Sequence, residues 1–102
     1  MDQPTSTWSF LTNHSHVLLC ISENPDITVR DLALQVGITE RAVMRIIGEL
    51  DEGGVITRTR EGRRNHYTIN GDLPLRHPVE QHCTVNDLIR MFKQMLAGSG
   101  AD

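Results

Sequence analysis

The stretch from Thr28 to Leu50, TVRDLALQVGITERAVMRIIGEL, holds two short runs of helical apolar spacing on either side of one glycine. Val29, Leu32, Ala33 and Val36 share a face in the first run; Ala42 or Val43, then Ile46, Ile47 and Leu50, share one in the second. Isolated helices below roughly 12–15 residues are marginal in water, so each run has to be held by packing on its neighbours. Thr28 and Thr39 stand where N-caps belong, and Asp31 sits three residues beyond the first, where a capping box wants an acid. Gly37 closes the first run, at a position whose left-handed backbone is least costly for glycine. Ile38, apolar within the turn, is expected to plug the gap between the two helices.

The pattern extends in both directions. Upstream, His14 to Glu23 (HSHVLLCISE) has apolar residues at 17, 18, 20 and 21, with Thr12 or Asn13 as cap and Asn24-Pro25 as stop. Downstream, Gly53-Gly54 ends the third helix, and VITRTREGRRNHYTIN follows as two β-rich runs, Val55–Arg60 and Arg64–Ile69. A short loop of Glu61, Gly62 and Arg63 joins them, so a hairpin is expected, anchored by Ile56, Tyr67 and Ile69. Asp72–Pro78 carries two prolines and reads as an extended connector. Thr84 and Asp87 form a further capping pair for a fourth helix, in which Val85, Leu88, Ile89, Phe92, Met95 and Leu96 recur at helical spacing through to Ala97. The expected organisation is an N-terminal extension at 1–10, a domain at 11–71, a connector and C-terminal helix at 72–97, and a disordered tail at 98–102.

The totals bound the function classes. A chain of 102 residues with 38% apolar and 23% charged residues is one ordinary globular domain. It has no apolar run long enough to span a membrane and no basic-then-apolar leader, which fits a cytoplasmic protein. Cys20 and Cys83 lie far apart and are expected to be reduced, Cys20 on a buried helix face. His77, Glu80, His82 and Cys83 match no closed zinc spacing, so no metal is assigned. No Ser-His-Asp order, carboxylate pair or Gly-rich phosphate loop can be built, so neither catalysis nor a cofactor is expected.

The net charge of −3 conceals an uneven distribution. Arg58, Arg60, Arg63 and Arg64 crowd one segment against Glu61 alone, and nearly every base in the chain is Arg rather than Lys. Arginine suits planar, bidentate recognition of phosphates and base edges, although it also serves interface ion pairs.

Helix, helix, glycine turn, helix and basic hairpin together make a winged helix-turn-helix, mainly α with a small β-hairpin and an additional C-terminal helix. At DITVRDLALQVGITERAVMRIIGELDEGGVITRTREGRRNHYTIN, Asp26 to Asn70, the sequence resembles the winged helix domains of transcriptional regulators of the MarR and ArsR type. The resemblance covers about Leu11 to Asn70 and lacks the cysteine-containing metal box of metal-sensing ArsR-type proteins. It implies a DNA-binding regulator, usually a homodimer on a pseudo-palindromic site. By position it places Thr39, Glu40, Arg41, Met44 and Arg45 on the recognition helix, and Arg63 and Arg64 on the wing.

Each candidate has a plainer alternative. Arg41 and Arg45 share a face four residues apart and could read guanine or contact phosphate; the alternative is a solvated face with pairs such as Arg45 to Glu49. Glu40 is read mainly as favouring the helix N-terminus, Thr39 as a cap that could also reach a phosphate, and Met44 as a contact for a thymine methyl. Arg58, Arg60, Arg63, Arg64 and Asn65 are assigned to the wing's DNA surface, against the alternative of a charged β edge that deters aggregation. A winged core of about 60 residues is marginal alone, so Trp8, Phe10, Leu88, Phe92 and Met95 are expected to form a dimer interface, the alternative being a fourth helix packed on the first. The partner is then double-stranded DNA, with repression the expected mode and any small-molecule effector unknown. A winged helix used as a protein-interaction module is the rival reading, favoured by Glu49, Asp51 and Glu52.

Overall fold

The computed structural model describes residues 8–101, with side chains through Lys93. Four helices and one hairpin follow in the order α1 (Asn13–Glu23), α2 (Val29–Val36), α3 (Glu40–Glu52), β1 (Ile56–Glu61), β2 (Arg64–Ile69) and α4 (Val85–Ala101). This is the winged helix-turn-helix arrangement with a C-terminal helix.

Caps fix the helix starts. Thr12, Thr28 and Thr39 have extended backbones, and their hydroxyls accept from the amides of Ser15, Asp31 and Ala42. Each cap satisfies one of the donors that a helix leaves open at its first turn. α2 stops at Gly37, whose φ of 83° lets its amide and that of Ile38 both donate to the carbonyl of Ala33. That left-handed residue turns the chain sharply enough to lay α3 across α2.

One core joins all elements. Val17, Leu18 and Ile21 of α1, Leu32 and Ala33 of α2, and Val43, Ile46, Ile47 and Leu50 of α3 are buried together with Ile56 and Tyr67 of the hairpin. Ile38 packs against this cluster, as its place in the turn predicts. Val29, Val36 and Cys20 are only partly buried, because α2 is short and the cysteine sits at the margin of the α1 stripe. Burial, and then Glu23, raises the Cys20 thiol pKa. Ile27, in the link between α1 and α2, is a core residue that helical periodicity does not single out.

Three features differ from the expectations. The hairpin loop has two residues rather than three, since Glu61 pairs with Arg64 across the strands and Gly62 takes φ 65°. A glycine at the first central position followed by a residue of negative φ is the pattern of a tight type II′ turn. The connector is folded rather than extended: Pro74 bridges Thr84, and the Leu75 amide donates to the Cys83 carbonyl at 2.8 Å. Turns at His77–Glu80 and Glu80–Cys83 bring the chain back on itself, using the Pro78 region as the corner. Finally, α4 runs through residues 98–101 instead of ending at Ala97. Glycine lowers helix propensity by about 1 kcal/mol without blocking the helix, and no proline intervenes.

The start of α4 belongs to the same core. Val85 and Ile89 are buried with α1, while Leu88 packs partly against the cluster. Thr84 and Asp87 exchange hydrogen bonds in both directions, a complete capping box. The Thr84 amide holds the Asp87 carboxyl below its ordinary pKa. Among the described residues, no helix is long and apolar enough to cross a membrane.

Candidate nucleic-acid interface

The two faces of α3 have opposite characters. Val43, Ile46, Ile47 and Leu50 point inward, whereas Glu40, Arg41, Met44 and Arg45 are exposed. Thr39, Arg41, Ala42 and Arg45 line a shallow depression along the N-terminal half of the helix. Met44 is 60% exposed on this face. Glu40 lies in the first turn, where a carboxylate interacts well with the helix dipole.

The C-terminal half of α3 carries three further acids, Glu49, Asp51 and Glu52, and the first two are engaged. His14 Nε2 donates to Glu49 Oε1 at 2.6 Å, and Arg45 approaches the same carboxylate at 3.3 and 3.4 Å. The Arg45 distances mark a loose contact, since charge-assisted N–H···O bonds run near 2.7–2.9 Å. The hydrogen bond from His14, and then the charge of Arg45, lowers the Glu49 pKa. Asp51 is held more firmly: Arg58 donates to Asp51 Oδ2 from Nη2 at 2.9 Å and from Nε at 3.1 Å.

The wing is antiparallel from Ile56↔Ile69 to Glu61↔Arg64. Strand alternation places Ile56, Arg58 and Arg60 on one face with their partners Ile69, Tyr67 and Asn65, and puts Arg64 on the other. The first face meets the protein body, because Ile56 and Tyr67 are its buried members. The wing is tied down on its second edge as well. Tyr67 N–H donates to Pro25 O at 2.9 Å, and His66 Nδ1 donates to Asp26 Oδ1 at 2.7 Å. That His66 hydrogen bond is the main cause of a raised His66 pKa, with the charges of Asp26 and Glu61 adding to it.

The arginines assigned to the wing's DNA surface therefore divide. Arg63 and Arg64 are exposed at the turn, and Arg60 curls back to the Gly62 carbonyl at 3.3 Å. Asn65 is partly buried, and Arg58 is occupied by Asp51. Among the described residues, Arg41, Arg63 and Arg64 have neither an ion pair nor a side-chain hydrogen bond.

The residues assigned to a dimer interface also separate. Trp8 and Phe10 are exposed, Phe10 by 92%, and meet edge to face with centroids 5.0 Å apart. Leu88 and Phe92 are partly buried on α4, and the Met95 side chain lies outside the described residues. No group of three or more His, Cys, Asp or Glu able to hold a metal occurs among the described residues.

Comparison with known proteins gives this geometry its context. Residues 11–57 match the family of winged helix-turn-helix DNA-binding segments. Curated proteins offer no match to the sequence. Among solved structures, the fold is similar to a predicted DNA-binding transcriptional regulator from E. coli, with TM-score 0.57 and 20% identity over 79% of this chain and 74% of that one. MepR, a transcription regulator of the Staphylococcus aureus multidrug efflux pump MepA, aligns with TM-score 0.55 and 16% identity over 88% of this chain and 63% of its own. ZitR of Lactococcus lactis, a zinc-responsive MarR family member, has been solved with DNA. That complex aligns with TM-score 0.52 and 19% identity, over 69% of this chain and 49% of its own. The chain thus spans about half the length of ZitR and less than two thirds of MepR. Residues 11–57 thus match a family of winged helix-turn-helix DNA-binding segments, and the fold around them is similar to that of MarR-family transcriptional regulators.

Proposed function

We propose that the chain is a sequence-specific regulator of transcription that binds double-stranded DNA as a homodimer. In this reading α3 enters the major groove, with Arg41, Met44 and Arg45 facing base edges and Thr39 near a phosphate. Arg63 and Arg64 of the wing contact flanking phosphates or the minor groove. The observation that carries the reading is the shared exposure of Arg41, Arg63 and Arg64, which no carboxylate neutralises, on the recognition helix and wing tip. The −3 net charge does not oppose it, because the positive charge is gathered locally, with Arg58, Arg60, Arg63 and Arg64 in one segment against Glu61 alone.

Arg45 is counted as a DNA contact despite its pair with Glu49. An exposed i,i+4 pair is among the weakest of ion pairs, and a phosphate or guanine competes easily with it. Dimerisation is supported by the exposed Trp8 and Phe10 and by Met91 and Phe92 on the later turns of α4. A two-fold dimer would set its two α3 helices about 34–36 Å apart, one turn of DNA. Repression is the mode we assign, since a dimer seated in two successive grooves occludes the site without needing a further surface.

The test is titration of the chain into labelled duplex DNA at several salt concentrations, beside the Arg63→Ala/Arg64→Ala variant. A log–log salt slope shallower by about 3.6 is expected in the variant, ~0.9 for each of the four phosphates that the two subunits of the dimer no longer neutralise. Absence of binding by the unsubstituted chain at low salt would leave the protein-interaction module as the better reading. Light scattering of Phe92→Asp addresses the dimer, with folded monomers expected and an intact dimer counting against this interface.

A further inference from the structure

We propose that Asp51 and Arg58 form a positioning pair that sets the wing against α3, so that Arg58 acts on DNA through Arg63 and Arg64 instead of touching it. The proposal rests on the DNA-binding reading and narrows which arginines make contact. Three observations support it. Arg58 lies on the body-facing side of the hairpin, on the same face as buried Ile56 and beside its cross-strand partner Tyr67. Two of its N–H groups converge on Asp51 Oδ2 at 2.9 and 3.1 Å, much tighter than the Arg45 approach to Glu49. Asp51 belongs to the last turn of α3, so the pair joins the recognition helix directly to the strand that leads to the wing tip.

The opposite edge of the wing is already fixed by the Tyr67 amide and His66 on the Pro25–Asp26 link. A two-stranded hairpin held along one edge only can still pivot about that edge. On the other strand Ile56 is buried only at the first residue, and Arg58 adds an attachment two residues further along.

The positioning and contact roles predict opposite signs for one substitution. If Arg58 bound phosphate, Asp51→Asn would release it and remove a negative charge near the DNA, and affinity would rise. As a positioning pair, Asp51→Asn and Arg58→Ala each weaken binding to a random-sequence duplex by about two- to fivefold, the range of an exposed ion pair. Combining the two substitutions then adds little. The salt slope stays at the unsubstituted value in Arg58→Ala, whereas Arg64→Ala reduces it by about 1.8, one phosphate for each subunit of the dimer. A gain of affinity in Asp51→Asn, or a reduced slope in Arg58→Ala, would overturn the assignment.

Amide hydrogen exchange supplies a readout that does not depend on DNA. Faster exchange across Thr57–Glu61 is expected in both single variants, with exchange in α1 unchanged. The charge-swapped double variant Asp51→Arg/Arg58→Asp is expected to recover protection. Unchanged exchange in the single variants would refute the tether by itself. Failure of the unsubstituted chain to bind DNA would remove the DNA-binding reading instead, leaving exchange to decide the tether.

Discussion

The base and the tip of the wing are made from the same two strands and behave as different materials. At the base, Ile56 and Tyr67 are buried, Arg58 is engaged by Asp51, and the Tyr67 amide and His66 bond to the loop before α2. At the tip, residues 60–64 are all exposed, and Arg63 and Arg64 carry their charges into solvent. A buried aromatic and a charge-assisted bond resist displacement, whereas a glycine turn has only its backbone geometry to hold it. Residue type therefore does not assign function here. Arg58 and Arg64 differ in surroundings, one paired with Asp51 and the other exposed, because strand alternation puts them on opposite faces of one hairpin.

The largest test of this contrast is at the base. Tyr67→Ala should cost about 3–5 kcal/mol of unfolding free energy, the range for deleting a buried aromatic, as read by urea denaturation. Arg64→Ala at the tip should stay within about 0.5 kcal/mol in the same experiment. Comparable losses at the two positions would erase the distinction between them.

On the recognition helix, Arg41→Ala should cost about 1–3 kcal/mol on a selected binding site and little on random duplex, measured by competition titration. Equal losses on both DNAs would make Arg41 a phosphate contact. A smaller effect is expected at the turn itself. A Cβ at Gly62 would meet no atom within 4 Å, so the penalty for Gly62→Ala is confined to placing an L-residue at φ 65°. That amounts to about 1–2 kcal/mol, checked by denaturation. A loss well beyond this would show that the tip is packed more tightly than its exposure implies.

The smallest effect concerns pH. The folded His66 pKa lies above its ordinary value of 6.5, principally through the bond to Asp26. Its contribution is therefore fully present below 6.5 and is lost as the pH climbs through the raised value. Denaturation midpoints should fall slightly over that interval, and His66→Gln should remove this part of the dependence. A pH profile identical in the variant would exclude His66 as its source.

Much of the fold could be read directly from the chain. The threonine caps, the glycine at the end of α2, the inward stripe of α3 and the Ile56 and Tyr67 anchors stand where spacing puts them. Even the Arg45 to Glu49 pair was accessible, since residues four apart on a helix are neighbours. Arg58 is more instructive. Alternation from Ile56 already signals its inward face, but the concentration of arginines in the segment suggests a uniform DNA surface. The core roles of Ile27, in a link, and of Val85 and Ile89, on a helix with two candidate partners, emerge only once the elements are assembled.

The sequence by itself determined where helices start and stop, which faces are apolar and where positive charge gathers, because those properties depend on residues within about one turn of each other. Tertiary structure decided which charges remain available. Arg58 finds Asp51 across seven residues, His14 finds Glu49 across 35 and His66 finds Asp26 across 40. Pairing over such distances depends on the relative placement of whole elements, which packing of the shared core establishes and no local pattern encodes.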